Sequence, residues 1–573
     1  MAAGRRSVNK VIIISQKNIR AFSFTYLMLP LLIFLLGFLK PMFGIICGIA
    51  LLCVWWLSIT SKGNPNDIRV TGESESTIRI WEIVFLAMVS LVWCILGGQG
   101  GYFYQTSDWN ERNAIFRDLI EREWPVYYDQ TDTVLTYYIG HWLPAALVGK
   151  AVYILSGSAE IAWKIGNNAL LLWSSLGIIA CLLLLFRVSR ANTFRQRSIA
   201  VLIFMFFSGL DLIGTILQGW GLRDYFEIMH LEWWAGGDVY QYSSTTTGLF
   251  WVFNQAITAW IAALSFIHEN RRGITCRNYG YIVVASLISS PLPTVGLFFI
   301  MAYAIVYSAV RHLKGRQLKA YFRDLISPGN VLIVLFVFPV LALFLFGNSA
   351  VENTAAPSSP PAVRNKVIIA AVMFCLLVVL PWFVRKRGPR RTMRFLASSF
   401  FILLIAYYLL TDTDSIYPVF ILLDVGIYIF LLFPNEQRNY LFHAASVLLL
   451  LAPLLKIGIG ADFCMRASIP ALIVVMFLCI KRVIHGSGKG LRGNAVIRSL
   501  CGMALIVALL IGACTPMMEI YRGFARYQEG VADDIYTLNK FHSSGGIYGN
   551  FVSDSYQNSF FFTRLTDVME NRK

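Results

Sequence analysis

Residues 166–219 read GNNALLLWSSLGIIACLLLLFRVSRANTFRQRSIAVLIFMFFSGLDLIGTILQG, two apolar runs (166–187 and 198–219) joined by a short basic turn carrying Arg187, Arg190, Arg195 and Arg197. A helix needs about 20 apolar residues to cross about 30 Å of hydrocarbon. Each run meets that length, so the pair reads as two crossing helices with their shared turn on the positive, cytoplasmic side.

The same unit recurs in both directions. Apolar runs fall at 22–39, 42–60, 80–98, 166–187, 198–219, 247–267, 279–291, 294–311, 330–347, 367–384, 394–410, 417–433, 440–456, 467–483 and 499–514. Basic residues gather between them: Arg5 to Arg20, Arg271 to Arg277, Arg311 to Arg316, Arg385 to Arg394 and Lys481 to Arg492. With every basic turn placed inside, the expectation is an all-α, polytopic membrane protein of about 15 membrane helices. Its N-terminus is cytoplasmic and its C-terminal tail extracytoplasmic, in the cell membrane. The segment 137–155 is apolar too, but a full crossing there would put the Arg187–Arg197 turn outside. It is therefore expected to dip into the outer leaflet.

Composition agrees: 57% of residues are hydrophobic, 14% are charged and mean hydropathy is +0.61, against roughly 25% charged residues in soluble domains. The formal charge of +17 is distributed as topology signals and implies no nucleic-acid partner. The ten cysteines show no CxxC pairing and read as small hydrophobes. The chain divides into N-terminal membrane helices (1–98), a first outer loop (99–137), the main membrane bundle (138–514) and an outer tail (515–573).

Polar and aromatic residues collect on the outer face. The first loop, QTSDWNERNAIFRDLIEREWPVYYDQTDTVLTYYIGHWLP (105–144), carries seven carboxylates. Its middle, 110–122, has the pattern of an amphipathic helix lying on the membrane, with Ile115, Phe116, Leu119 and Ile120 downward. Asp108 either caps that helix or serves as a reactive carboxylate among Tyr102, Tyr104, Trp109 and Asn113. The second loop brings Trp233, Trp234, Gln241, Tyr242, Trp251, Asn254 and Gln255 to a helix entrance. An interfacial aromatic belt explains many of these, whereas polar groups entering lipid need a cavity or a partner. In GADFCMRASIPAL (460–472), Asp462 and Arg466 stand four apart. They either pair with each other, or Arg466 holds a lipid-linked phosphate through its planar fork. For Asp211, Asp424 and His141 an internal hydrogen bond is the simpler expectation. The tail stretch SSGGIYGNFVSDSYQNSFFFTRL (543–565) should pack on the outer face. No Walker, GxGxxG, HExxH or triad signature is present.

This layout resembles the GT-C superfamily of polytopic glycosyltransferases. The resemblance rests on the acidic loop Asp108-Trp109-Asn110-Glu111-Arg112-Asn113 after an early helix, on the basic inner turns, and on the proline-broken SSPLPTVG around Pro291 and Pro293. Asp-Trp stands at 108–109 where some members carry Asp-Glu. The resemblance implies a polyprenyl-phosphate sugar donor, a glycan or lipid-linked acceptor, and inverting transfer in contact with membrane lipid. It makes Asp108 the base, with Glu111 or Asp129 as substitutes, and has Arg466 and Arg112 hold phosphate. A divalent cation could take that role, although no ligand spacing identifies one. The alternatives are a lipid-linked oligosaccharide flippase or transporter, and a glycan polymerase or ligase.

Overall fold

The computed structural model describes residues 11–61, 76–219, 230–237, 239–271, 276–312, 318–348, 416–436, 439–455, 460–486, 495–530, 537–544 and 546–569. It is 79% helical with almost no strand. Among the described residues eight helices are long and apolar enough to cross a membrane: Lys17–Phe38, Pro41–Thr60, Ala159–Ser189, Phe194–Leu217, Pro291–Val310, Pro328–Phe346, Val419–Glu436 and Ser499–Ala525. The chain is thus an all-α, membrane-embedded protein. The expected runs 367–384 and 394–410 lie outside the described residues.

In chain order the helices are α1 (Gln16–Phe38), α2 (Pro41–Thr60), α3 (Ile80–Leu96), α4 (Trp109–Glu121), α5 (Leu143–Ser156), α6 (Ala159–Ser189), α7 (Phe194–Phe206) and α8 (Asp211–Leu217). They continue with α9 (Thr245–Trp251), α10 (Phe253–Arg271), α11 (Tyr279–Leu287), α12 (Pro291–His312) and α13 (Leu318–Leu325). The span Pro328–Phe346 is α14 and Val419–Glu436 is α15. Then come α16 (Tyr440–Leu451), α17 (Asp462–Ala467), α18 (Ile469–His485), α19 (Ala495–Gly512), α20 (Cys514–Ala525) and the single turn α21 (Gly546–Gly549).

Fewer described helices reach full length than the expected fifteen, because several apolar runs break. Run 247–267 splits at Val252, whereas run 198–219 stays among the eight spans although its helix is interrupted around residues 207–210, between α7 and α8. Run 279–291 becomes the nine-residue α11, ending before Pro291, and at 1.5 Å per residue it extends only about 13 Å. α5, about 21 Å long by the same measure, folds back on α6 as a short hairpin.

Two arginines from the basic turns are not solvated signals. Arg20 is 1% exposed, pairs with Glu269 at 3.0 Å, and donates to the carbonyls of Ser58 (2.7 Å) and Ser61 (2.9 Å). Arg197 is buried against Glu82, which ties the start of α7 to the start of α3. Burying a guanidinium demands this paired, hydrogen-bonded environment.

The tail is woven into the first loop. Strand β4 (Thr133–Leu135) pairs antiparallel with β3 (Tyr127–Tyr128) on one side and with β5 (Val552–Ser553) on the other; β1 (Val11–Ile14) and β2 (Ser76–Arg79) form a separate antiparallel pair. Tyr548 bonds Thr131 and Thr133 at 2.8 Å each, and Tyr556 donates to Asp132 at 2.6 Å. Asp118 on α4 accepts from Tyr128 (2.8 Å), the Leu538 amide (3.0 Å) and Arg122 (3.2 Å). Burial raises its carboxyl above the usual range against the pull of these donors. Helix α4 is consequently not a free surface helix. Ile115, Phe116, Leu119 and Ile120 are buried, but so are Trp109, Arg112, Asn113 and Asp118, because α5, α6 and the tail cover it.

Candidate active site

A glycine turn sets the start of α4. Gly98, Gly100 and Gly101 all have positive φ, the left-handed region that glycine enters without steric cost. A Cβ on Gly98 would sit 2.9 Å from Gln105 and 3.1 Å from Trp109. Gln105 donates to the Gly98 carbonyl (2.9 Å) and accepts from Asn113 (3.0 Å), so Asn113 braces the turn. Trp109 stacks on Phe253 with centroids 4.7 Å apart and donates to the Phe250 carbonyl at 3.3 Å. Beyond the helix, Pro125 bars continuation.

Asp108 stands at the N-cap position, yet its side chain caps nothing. It turns instead to Arg112, Oδ2 to Nη2 2.8 Å, with the carboxylate side chain 47% exposed and the arginine 10%. Arg466 pairs with Asp462 at 3.0 Å and reaches the Tyr138 hydroxyl at 3.5 Å. Tyr137 stacks on Tyr138 at 4.0 Å. Burial raises the Tyr137 phenol, while Arg466 and Arg112 both pull it back. Burial alone would lower Arg466, but Asp462, the two tyrosines and Asp108 hold it above the ordinary arginine range.

The sequence-distant Asp108, Arg112, Asp462 and Arg466 therefore share one electrostatic environment around Tyr137 and Tyr138. Each arginine keeps a buried nitrogen, Nη1 of Arg112 and Nε of Arg466, with no hydrogen-bond partner among the described residues. Such donors suit an anion's oxygens. Glu111 sits beside them, half-buried, its carboxyl raised by burial and by Asp108.

Compared with known proteins, the chain matches no family model, no curated sequence and no solved structure.

The other expected site residues divide. Asp129 is exposed at the β3–β4 turn and takes no part in the cluster. Trp234 is buried. Gln241 donates to Glu232 at 2.9 Å, and Tyr242 bonds the Leu449 carbonyl. Asn254 and Gln255 are buried, and neither amide atom of Gln255 has a partner among the described residues. Trp233 is 40% exposed. Among the described residues no three of His, Cys, Asp or Glu are grouped to hold a metal ion.

Two constellations were missed in the sequence. In one, Glu519 receives His230 Nδ1 at 2.8 Å, Arg522 at 2.8 Å and Trp251 Nε1 at 2.9 Å. In the other, three buried carboxylates lie together. Glu232 accepts from the Ser244 amide and Thr247, and Asp211 accepts from Ser208 and Thr515. Asp424, on a π-helical turn in α15, has no hydrogen-bond partner of good geometry for either oxygen among the described residues. The Trp234 indole faces Asp211 and Asp424. The simple expectation of internal hydrogen bonds thus holds for Asp211, while Asp424 has the Trp234 indole as its one donor among the described residues. His141 bonds Ser174 at 3.0 Å, and burial pushes its pKa down to about 3, leaving it neutral. These groups sit in separate turns and helices with no regular spacing, so only partner geometry could have revealed them.

Proposed function

We propose that this chain is an integral membrane glycosyltransferase of the GT-C type. It moves a sugar from a polyprenyl-phosphate donor to an envelope glycan or lipid-linked acceptor on the extracytoplasmic face of the cell membrane. The observation that carries this reading is the convergence of a half-exposed carboxylate, Asp108, with two guanidiniums, Arg112 and Arg466, that retain buried, unpartnered nitrogens.

Transfer needs a proton acceptor for the attacking hydroxyl and positive charge for the departing phosphate. Asp108, held in place by Arg112 at 2.8 Å, takes the hydroxyl proton as the acceptor oxygen bonds the anomeric carbon. The bond from that carbon to the phosphate oxygen breaks on the opposite side, with inversion. The polyprenyl phosphate leaves with the electron pair, and Arg466 and Arg112 receive its charge. The apolar helices hold the lipid portion at the level of this cluster.

The test is transfer from a radiolabelled single-sugar polyprenyl-phosphate donor by purified wild type and Asp108→Asn. Loss of product with unchanged folding supports the base assignment; undiminished product removes Asp108 from the reaction. The buried Asp211, Glu232 and Asp424 favour a second reading, a lipid-linked oligosaccharide flippase, since intramembrane carboxylates mark transport paths. Movement of label across the membrane with no covalent product would select it.

A further inference from the structure

A cavity of about 360 Å3 opens beside α4 and contains none of the four charged residues of the Asp108 cluster. One wall is the chain entering α4, with Gln105, Thr106, Ser107 and Asn110; the facing wall is His230, Trp233 and Trp251. Its volume lies at the small end of the roughly 300–1,000 Å3 typical of ligand pockets, enough for a mono- or disaccharide.

The lining chemistry selects the ligand. His230 packs between two indoles, its ring centroid 5.0 Å from Trp233 and 4.2 Å from Trp251. Flat aromatic faces flanked by amide and hydroxyl groups suit a ring with C–H faces and a rim of hydroxyls. The charged side chains of the lining are matched within the protein. Arg522 pairs with Glu519 at 2.8 Å and Arg526 with Glu529 at 3.6 Å. No net charge is offered to a ligand, so a neutral one fits better than an anion. Glu519 lies 2.8 Å from His230 Nδ1 and Arg522 Nη1 lies 3.4 Å from the same nitrogen, so Nε2 is the ring nitrogen these two groups leave to a ligand in a ring that lines the cavity.

We propose that this cavity is the acceptor subsite: it binds a neutral saccharide against Trp233 and Trp251, with His230 Nε2 hydrogen-bonded to one of its hydroxyls. The assignment rests on the glycosyltransferase reading for its place in the reaction, but not for saccharide binding itself. Ser107 and Asn110 line the cavity while Asp108, between them in the chain, turns to Arg112. The first turn of α4 is therefore a shared wall, and a sugar hydroxyl held there is presented toward the carboxylate. His230 is a positioning residue in this scheme, and Glu519 fixes its orientation.

Saturation-transfer difference NMR on the full-length protein in detergent tests this with glucose, galactose, mannose and N-acetylglucosamine, and with glucuronate as the anionic comparison. At least one neutral sugar should bind with a dissociation constant on the order of millimolar. Trp233→Ala, at a half-exposed position that tolerates truncation, and Asn110→Ala should each weaken it about tenfold. Asp108→Asn should leave binding unchanged while abolishing transfer, which separates failure of this site from failure of the donor site. Three results overturn the proposal: no neutral sugar binds at tens of millimolar, glucuronate binds in preference, or Trp233→Ala and Asn110→Ala both bind as wild type.

Discussion

The guanidinium of Arg466 lies 3.0 Å from the Asp462 carboxylate, while its buried Nε has no partner among the described residues. Asp462 thus uses one edge of the fork and leaves another donor for a ligand. Arg466→Ala should reduce transfer by about 10²–10³-fold, the scale seen when one preorganised donor to a developing anion is lost. Arg466→Lys should recover only part, because an ammonium is a point charge without the planar fork. Initial rates with radiolabelled donor check both, and wild-type rates in Arg466→Ala would end the phosphate assignment.

Gly296 on α12 sets where that arginine stands. A Cβ there would lie 1.9 Å from the carbonyl oxygen of Ala467, a backbone atom at the end of α17. Gly296→Ala should push α17, with Asp462 and Arg466, out of register and cost about 1–3 kcal/mol. Gly329→Ala meets only Val54 at 3.7 Å and should stay within about 0.5 kcal/mol of wild type. Thermal unfolding in detergent compares them; equal Tm values for the two variants would mean the helices can separate freely.

Glu232 makes stability depend on pH. Burial, reinforced by Asp211, raises its carboxyl above the ordinary range, so over that interval the folded protein binds more protons than the unfolded chain. This contribution is complete below about pH 4.3 and is lost as pH rises through the folded-state value. Glu232→Gln stays neutral and should flatten the fall in Tm between about pH 4.3 and neutrality. An unaltered slope would place the responsible proton on another group.

Asp118 fastens the tail. Removing its carboxylate in Asp118→Ala leaves the Leu538 amide and the Tyr128 hydroxyl without their acceptor, at a cost of about 1–3 kcal/mol. Amide exchange across 537–569 should accelerate relative to α6. Protection equal to wild type would show that the β4–β5 pairing alone secures the tail.

Much of the architecture follows from local chemistry. The runs at 22–39, 42–60 and 166–187 appear as α1, α2 and α6 because a long apolar stretch has no favourable state in water and must satisfy its backbone internally in lipid. The Asp462–Arg466 pair was legible for a similar reason, since four residues span one helical turn. Helix breaks were less legible. Ser208, Gly209 and Asp211 stand at the break in 198–219, and Asn254-Gln255 follow the break at Val252, but Asn167-Asn168 sit inside the unbroken α6, so packing partners decide which polar residues stop a helix.

By itself, the sequence determined an all-α membrane protein with its polar residues gathered in two loops and a tail, because hydrophobicity and charge act residue by residue. Only the tertiary structure decided that Arg466 lies within the electrostatic reach of Asp108, that His230 meets Glu519, and that α4 is covered by the tail. Those relationships join residues hundreds of positions apart, where neither propensity nor periodicity carries information and only the packing of one helix on another selects the neighbour.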